Sequence, residues 1–200
     1  MKNIYILLLA ITVGFTSCEN PVSKKIKETK ENVSNASKAV KEMSDLQKDI
    51  QELQSVEPLT NDEMKAWLPD EIDGMKRTAY KAGQMSYMKI ANIEATYTSE
   101  DKSKKFKIEV IDGAGQIGAA ATAGMRIMFS QDFEEEDEYK SRKTTKKNGI
   151  KAIEEYRKNN NKSTIEFMSQ DRFYMKATGT GMTIDETWDA IDELDVDDLG

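Results

Sequence analysis

Near the middle of the chain, Gly113-Ala-Gly115-Gln-Ile-Gly118 carries three glycines at the spacing of a loop that cradles a pyrophosphate at a helix N-terminus. The loop follows an alternating run and opens an alanine-rich segment, and acids follow it at Glu134 to Glu138. Two features oppose a dinucleotide. The run 104–112 alternates apolar and polar residues, as a half-exposed antiparallel strand does, whereas a nucleotide-binding first strand is buried and continuously apolar. Asp112, directly before the glycines, would repel a phosphate. The glycines are therefore expected to serve a tight turn and close helix–sheet packing, and no cofactor is expected. Paired carboxylates or a tyrosine are the other route to chemistry. Glu109, Asp112, Glu154, Glu155, Glu166 and Tyr174 are the candidates. Most alternate outward against an apolar strand face, so no catalytic role is assigned to any of them.

Composition removes much else. The 200 residues contain no His and one Cys. That excludes Ser-His-Asp and Cys-His catalysis, imidazole metal sites, an intramolecular disulfide and a thiolate zinc site. A net charge of −7 argues against nucleic acid as a partner. The acidic run Glu134 to Glu138 is unbroken, whereas a calcium loop spaces its oxygens around a turn. Its neutralisation by Lys140, Arg142, Lys143, Lys146 and Lys147 just downstream is expected, and no metal site.

At the N-terminus, Lys2 precedes an apolar run from Ile4 to Val13, followed by Gly14, Phe15, Thr16, Ser17 and Cys18. A positive start, an apolar stretch too short to span a bilayer and small residues before a cut site make residues 1–17 a signal peptide. Ending at the sole Cys, the segment resembles the bacterial lipoprotein signal, with Thr16, Ser17 and Cys18 fitting the lipobox and Phe15 standing where Leu is usual. The resemblance implies cleavage before Cys18, acylation of its thiol, and a protein exported and lipid-anchored to a bacterial membrane. It implies nothing about the fold behind the anchor.

Residues 18–58 read as a helical stalk. Between Pro21 and Pro58 there is no Gly, and Val22, Ile26, Thr29, Val33, Ala36, Val40 and Met43 recur at heptad spacing. Leu46, Ile50, Leu53 and Val56 continue the seam after a stammer. Helix 24–56 is expected to stand free or self-associate, to fold back on the domain, or to lie on the membrane surface.

Residues 59–200 are expected to form an α+β domain. Thr60-Asn-Asp-Glu63 and Thr183-Ile-Asp-Glu186 are capping boxes that open helices. Alternation marks strands at 75–81, 87–98, 104–112, 140–147, 150–156, 163–169 and 172–178, with Asn148-Gly149 as a hairpin turn. The expectation is a twisted antiparallel sheet of six or seven strands. One face would be covered by helix 115–130, apolar all round and so buried, together with the C-terminal helix. The order of strands, helix, strands, helix is similar to the extrinsic photosystem II protein type of sandwich, and no function is carried over from it. From Asp185 to Asp198 the chain holds eight acids and no base, a surface suited to a basic partner. The expected role is a non-enzymatic envelope lipoprotein acting through protein contacts. The alternatives are a carrier or sensor for a small apolar ligand between the sheet and helix 115–130, and a carboxylate-based enzyme acting on envelope polymers.

Overall fold

The computed structural model describes residues 40–41 and 44–200, and Asp45–Gly200 forms one compact unit. The signal peptide, Cys18 and the seam up to residue 39 lie outside the described residues. Within this unit, residues 45–54 are helical (α1); Leu46 and Ile50 are half-buried and Leu53 is buried.

The domain is α+β, built on nine antiparallel strands. The first meander holds β1 (Glu71–Ile72), β2 (Met75–Ala82), β3 (Asn92–Thr98) and β4 (Lys105–Asp112). The second holds β5 (Glu134–Glu136), β6 (Lys140–Lys147), β7 (Ile150–Arg157), β8 (Lys162–Ser169) and β9 (Phe173–Thr180). They join along β4 and β9, giving the order β1-β2-β3-β4-β9-β8-β7-β6-β5. The two strands beyond the expected count are the edge pieces β1 and β5, which at two and three residues are too short to show an alternation. The strand expected from residue 87 begins at Asn92, because Ser86–Met88 makes a 3-10 turn that Lys89 ends at φ 56°. Asn148 and Gly149, both at positive φ, turn β6 into β7 as that dipeptide predicts.

Both capping boxes form. Thr60 accepts from the Glu63 amide and Glu63 from the Thr60 amide, opening α2 (Asn61–Trp67). Thr183 and Glu186 do the same for α4 (Ile184–Asp192). The long connection α3 (Gly115–Ser130) links central β4 to edge β5.

The main core lies between one sheet face and α2, α4 and the chain around Val196 and Leu199. Ile93, Tyr97, Phe106, Ile108, Phe167 and Met175 project from the strands against Met64, Trp188 and Ile191. The long helix does not share that face. Phe129, Met125 and Met128 of α3 pack on Ile153, Met168 and Tyr174, forming a smaller, separate cluster. Tyr174 and Met175 are neighbours on one strand and point to opposite faces, so α3 and α4 sandwich the sheet instead of sharing one side. The reason is topological. To carry the chain from β4 to the far edge, the connection through α3 must pass β9, β8, β7 and β6, and it does so over the face that α4 leaves open. Nor is α3 buried all round. Gly118, Ala119, Thr122, Arg126 and Phe129 face inward, while Ile117 and Ile127 are 45% and 49% exposed. Its one charged residue lies on the buried side.

Candidate functional site

The glycine loop is closed by the chain's own carboxylate. Asp112, the last residue of β4, is fully buried. Its Oδ1 accepts from the Ala114 amide at 2.9 Å and from Arg172 Nε at 2.8 Å. Its Oδ2 accepts from the Leu59 amide at 2.8 Å and from Arg172 Nη2 at 2.8 Å. Arg172 stacks over Phe173 and also donates to the Glu57 carbonyl. This bidentate pair ties the start of α3, the β8–β9 turn and the segment before α2 into one knot. An anion approaching the loop would meet that carboxylate.

The glycines answer to space and backbone. A Cβ on Gly118 would lie 2.7 Å from the Asp112 carbonyl oxygen, so α3 can lie this close to the strand end only without a side chain there. Gly115 sits at φ +76°, a conformation that L side chains rarely adopt. β4 alternates buried and half-buried residues and is antiparallel to both neighbours.

Nearby, Arg126 is 9% exposed, and its Nε and Nη2 find no hydrogen-bond partner among the described residues. Burial lowers its pKa, and the charges of Asp171 and Asp49 pull it back up. Nothing in an alanine-rich sequence announced this buried guanidinium.

The candidate acids are split between the two faces. Glu154 belongs to the α4 face, where its Oε1 accepts from the Trp188 indole at 2.8 Å. Glu109, Glu155, Glu166 and Tyr174 lie on the other face. Glu109 pairs with Lys107, Glu155 with Arg157 at 2.8 Å, and Glu166 with Lys176 at 3.6 Å. Burial pushes the Tyr174 phenol up, and the charge of Glu166 adds to this. The six candidates therefore do not converge. Among the described residues, no group of three or more acids or cysteines is arranged to hold a metal ion. Of the acidic run, Glu134–Glu136 is β5; Glu135 lies 3.3 Å from Lys140 and Glu136 lies 2.8 Å from Lys158.

Three surface clefts are lined by described residues. A cleft of about 520 Å³ beside the start of α4 is lined by Glu154, Asp185, Lys143 and the hydroxyls of Ser141, Thr145 and Tyr156. A groove of about 280 Å³ lies on the half of the sheet that α3 leaves uncovered. The third, about 550 Å³, runs between α2 and the C-terminal segment. Its apolar floor comes from Leu59, Trp67, Leu194 and Leu199. Its rim holds Glu63, Glu193, Asp195 and Asp198 and no basic residue. Trp67 is fixed by its indole N–H, which donates to the Asp195 carbonyl at 3.1 Å. Asp195 and Asp198 are exposed and have no ion-pair partner among the described residues.

Compared with protein-family models, curated proteins and solved structures, the chain matches none. Among the described residues, no helix is long and apolar enough to cross a membrane.

Proposed function

We propose that this protein is an exported lipoprotein, anchored through acylated Cys18, whose domain works by protein contact and not by catalysis. The anchor reading rests on the signal-like segment ending at the sole Cys. The contact reading rests on the groove beside α2, where an apolar, tryptophan-bearing floor is rimmed by four acids with no base among them. That combination suits a basic, amphipathic protein segment. Its apolar side would lie on Trp67 and its cations would meet Asp195 and Asp198.

Two experiments test the two halves. Labelled fatty acid should enter the wild type and not Cys18→Ala; labelling of both or of neither removes the anchor. For the groove, the full chain is titrated with a synthetic peptide of alternating Lys and Leu while tryptophan emission is followed. A saturable blue shift is expected that Trp67→Phe abolishes and that Asp195→Asn with Asp198→Asn weakens at least tenfold. Trp188 is fully buried and should stay silent. A wild type that gives no shift, or a shift that survives Trp67→Phe, rejects the groove.

A second reading has one observation in its favour. Glu154 and Asp185 line the same hydroxyl-rich cleft, the arrangement a carboxylate-based hydrolase of envelope polymers would need. Against it, Glu154 is engaged by the Trp188 indole and stands 3.9 Å from Lys143.

A further inference from the structure

On the face crossed by α3, the charged residues of one row are all cations from β6 across to β4. The register sets Lys140 opposite Arg157, Arg157 opposite Lys162, Lys162 opposite Thr180, and Thr180 opposite Lys105. Directly opposed residues project to the same side, so four cations from five strands stand in line. At about 4.8 Å per strand the line is roughly 19 Å long. Like charges placed directly opposite destabilise a sheet. The next charged row of this face mixes its signs, although Glu94 faces Glu109 within it, and nearer the edge Lys146 faces Lys151. Lys81 faces Glu94, Glu109 faces Lys176, and Lys176 faces Glu166.

Within the row, compensation is incomplete. Lys140 has Glu135 at 3.3 Å and Arg157 has Glu155 at 2.8 Å, but Lys162 and Lys105 have no ion pair among the described residues. The row borders the 280 Å³ groove, where Arg142 and Lys176 add two more cations against Glu155 and Glu166. Arg142 is held in place over the Phe133 ring, 4.9 Å from its centroid. Thr164 and Thr178 offer hydroxyls at the floor. In a chain of net charge −7, such a concentration of cations asks for an anion.

We propose that this row and groove bind a linear oligoanion bearing phosphate groups along its length. The line of cations matches a chain ligand, and a recessed groove suits a slim chain better than a flat bilayer. No aromatic side chain lines the groove, so the platform on which single-stranded nucleic acid stacks its bases is missing. The inference rests on the strand register and is independent of the acid-rimmed groove and of the lipid anchor.

The test is calorimetric titration of the full chain with sodium tripolyphosphate at low ionic strength. Sedimentation with phosphatidylglycerol vesicles, against phosphatidylcholine vesicles, runs beside it. Saturable tripolyphosphate binding is expected. It should weaken with added salt and fall at least tenfold in Arg157→Gln with Lys162→Gln. Lys105→Gln, on a different strand and outside the groove, should weaken it by a smaller factor. Because these side chains lie on the open face, the variants should fold, which circular dichroism checks. Tripolyphosphate that fails to bind the wild type, or that binds the double variant equally well, overturns the proposal. So does binding confined to phosphatidylglycerol vesicles, which would make the face a membrane contact.

Discussion

The two faces of the sheet are made by the same strands and the same alternation, yet they end in different states. On one face, α2, α4 and the C-terminal segment seal the strands' apolar residues into a continuous core. On the other, α3 covers half with a small cluster around Phe129, Ile153 and Tyr174, and the rest is a lattice of charges. A strand pattern assigns residues to faces. What lies over each face is decided by where the connections run, and here one long helix has to reach from the middle of the sheet to its edge. The sealed face accounts for folding. The half-open one combines a set of ion pairs with a row of directly opposed cations.

The contrast can be broken most forcefully by truncation in each core. Trp188→Ala on the sealed face should cost about 3–5 kcal/mol, and Phe129→Ala under α3 should cost less because its cluster is small and borders solvent. Urea denaturation with a common m-value measures both; equal losses would mean that the α3 face is as much a core as the other.

At the glycine loop, Gly118→Val should cost about 1–3 kcal/mol through overpacking against the strand end. Added NAD or FAD should leave the melting temperature of both proteins unchanged. A dinucleotide present at 100 times its dissociation constant would instead stabilise the wild type by about 2.7 kcal/mol, which would return the loop to a cradling role.

Much of this architecture was legible in the residues. The capping boxes at Thr60 and Thr183, the Asn148-Gly149 turn and the inward series Phe106, Ile108 and Val110 depend on neighbours within a few positions, and all took the expected form. The structural use of Gly113 to Gly118 was readable for the same reason, since Asp112 and the alternating strand adjoin it. What escaped depends on strand order. That α3 and α4 lie on opposite faces follows from β4 pairing with β9, a contact between distant residues. The cationic row is invisible along the chain, because Lys105, Lys140, Arg157 and Lys162 are brought together only by the register. The buried Arg126 was hidden by composition, since a lone charge in an apolar helix reads as its exposed point.

Tyrosines sharpen the comparison at alkaline pH. Burial raises the Tyr97 phenol to about 12, while the charge of Arg77 works the other way. A folded pKa above the unfolded value means that the neutral phenol is the form the fold holds. Its contribution is complete below about pH 10 and is lost as pH rises toward 12. Tm should therefore fall between pH 10 and 12. Tyr97→Phe should start lower, having lost the hydrogen bond to the Pro69 carbonyl, and should fall less steeply over that interval. Parallel curves would assign the alkaline loss to other groups.

A smaller effect is expected at Arg126. Replacing a buried guanidinium that leaves Nε and Nη2 unpaired with Met should be neutral or stabilising by about 1 kcal/mol. Guanidinium chloride denaturation checks this. A loss above about 2 kcal/mol would show that Asp49 and Asp171 hold the charge more firmly than their positions suggest.

The central claim is that the open half of the α3 face is arranged for binding at the expense of stability, and the melting temperature of the row variants tests it most directly. In dilute buffer without multivalent anions, Arg157→Gln with Lys162→Gln relieves the opposed charges of β6, β7 and β8. The account expects a Tm equal to the wild type or higher by a few degrees, with the gain vanishing in high salt. A Tm several degrees lower at low ionic strength would mean that these cations hold the sheet together, and the claim would fail.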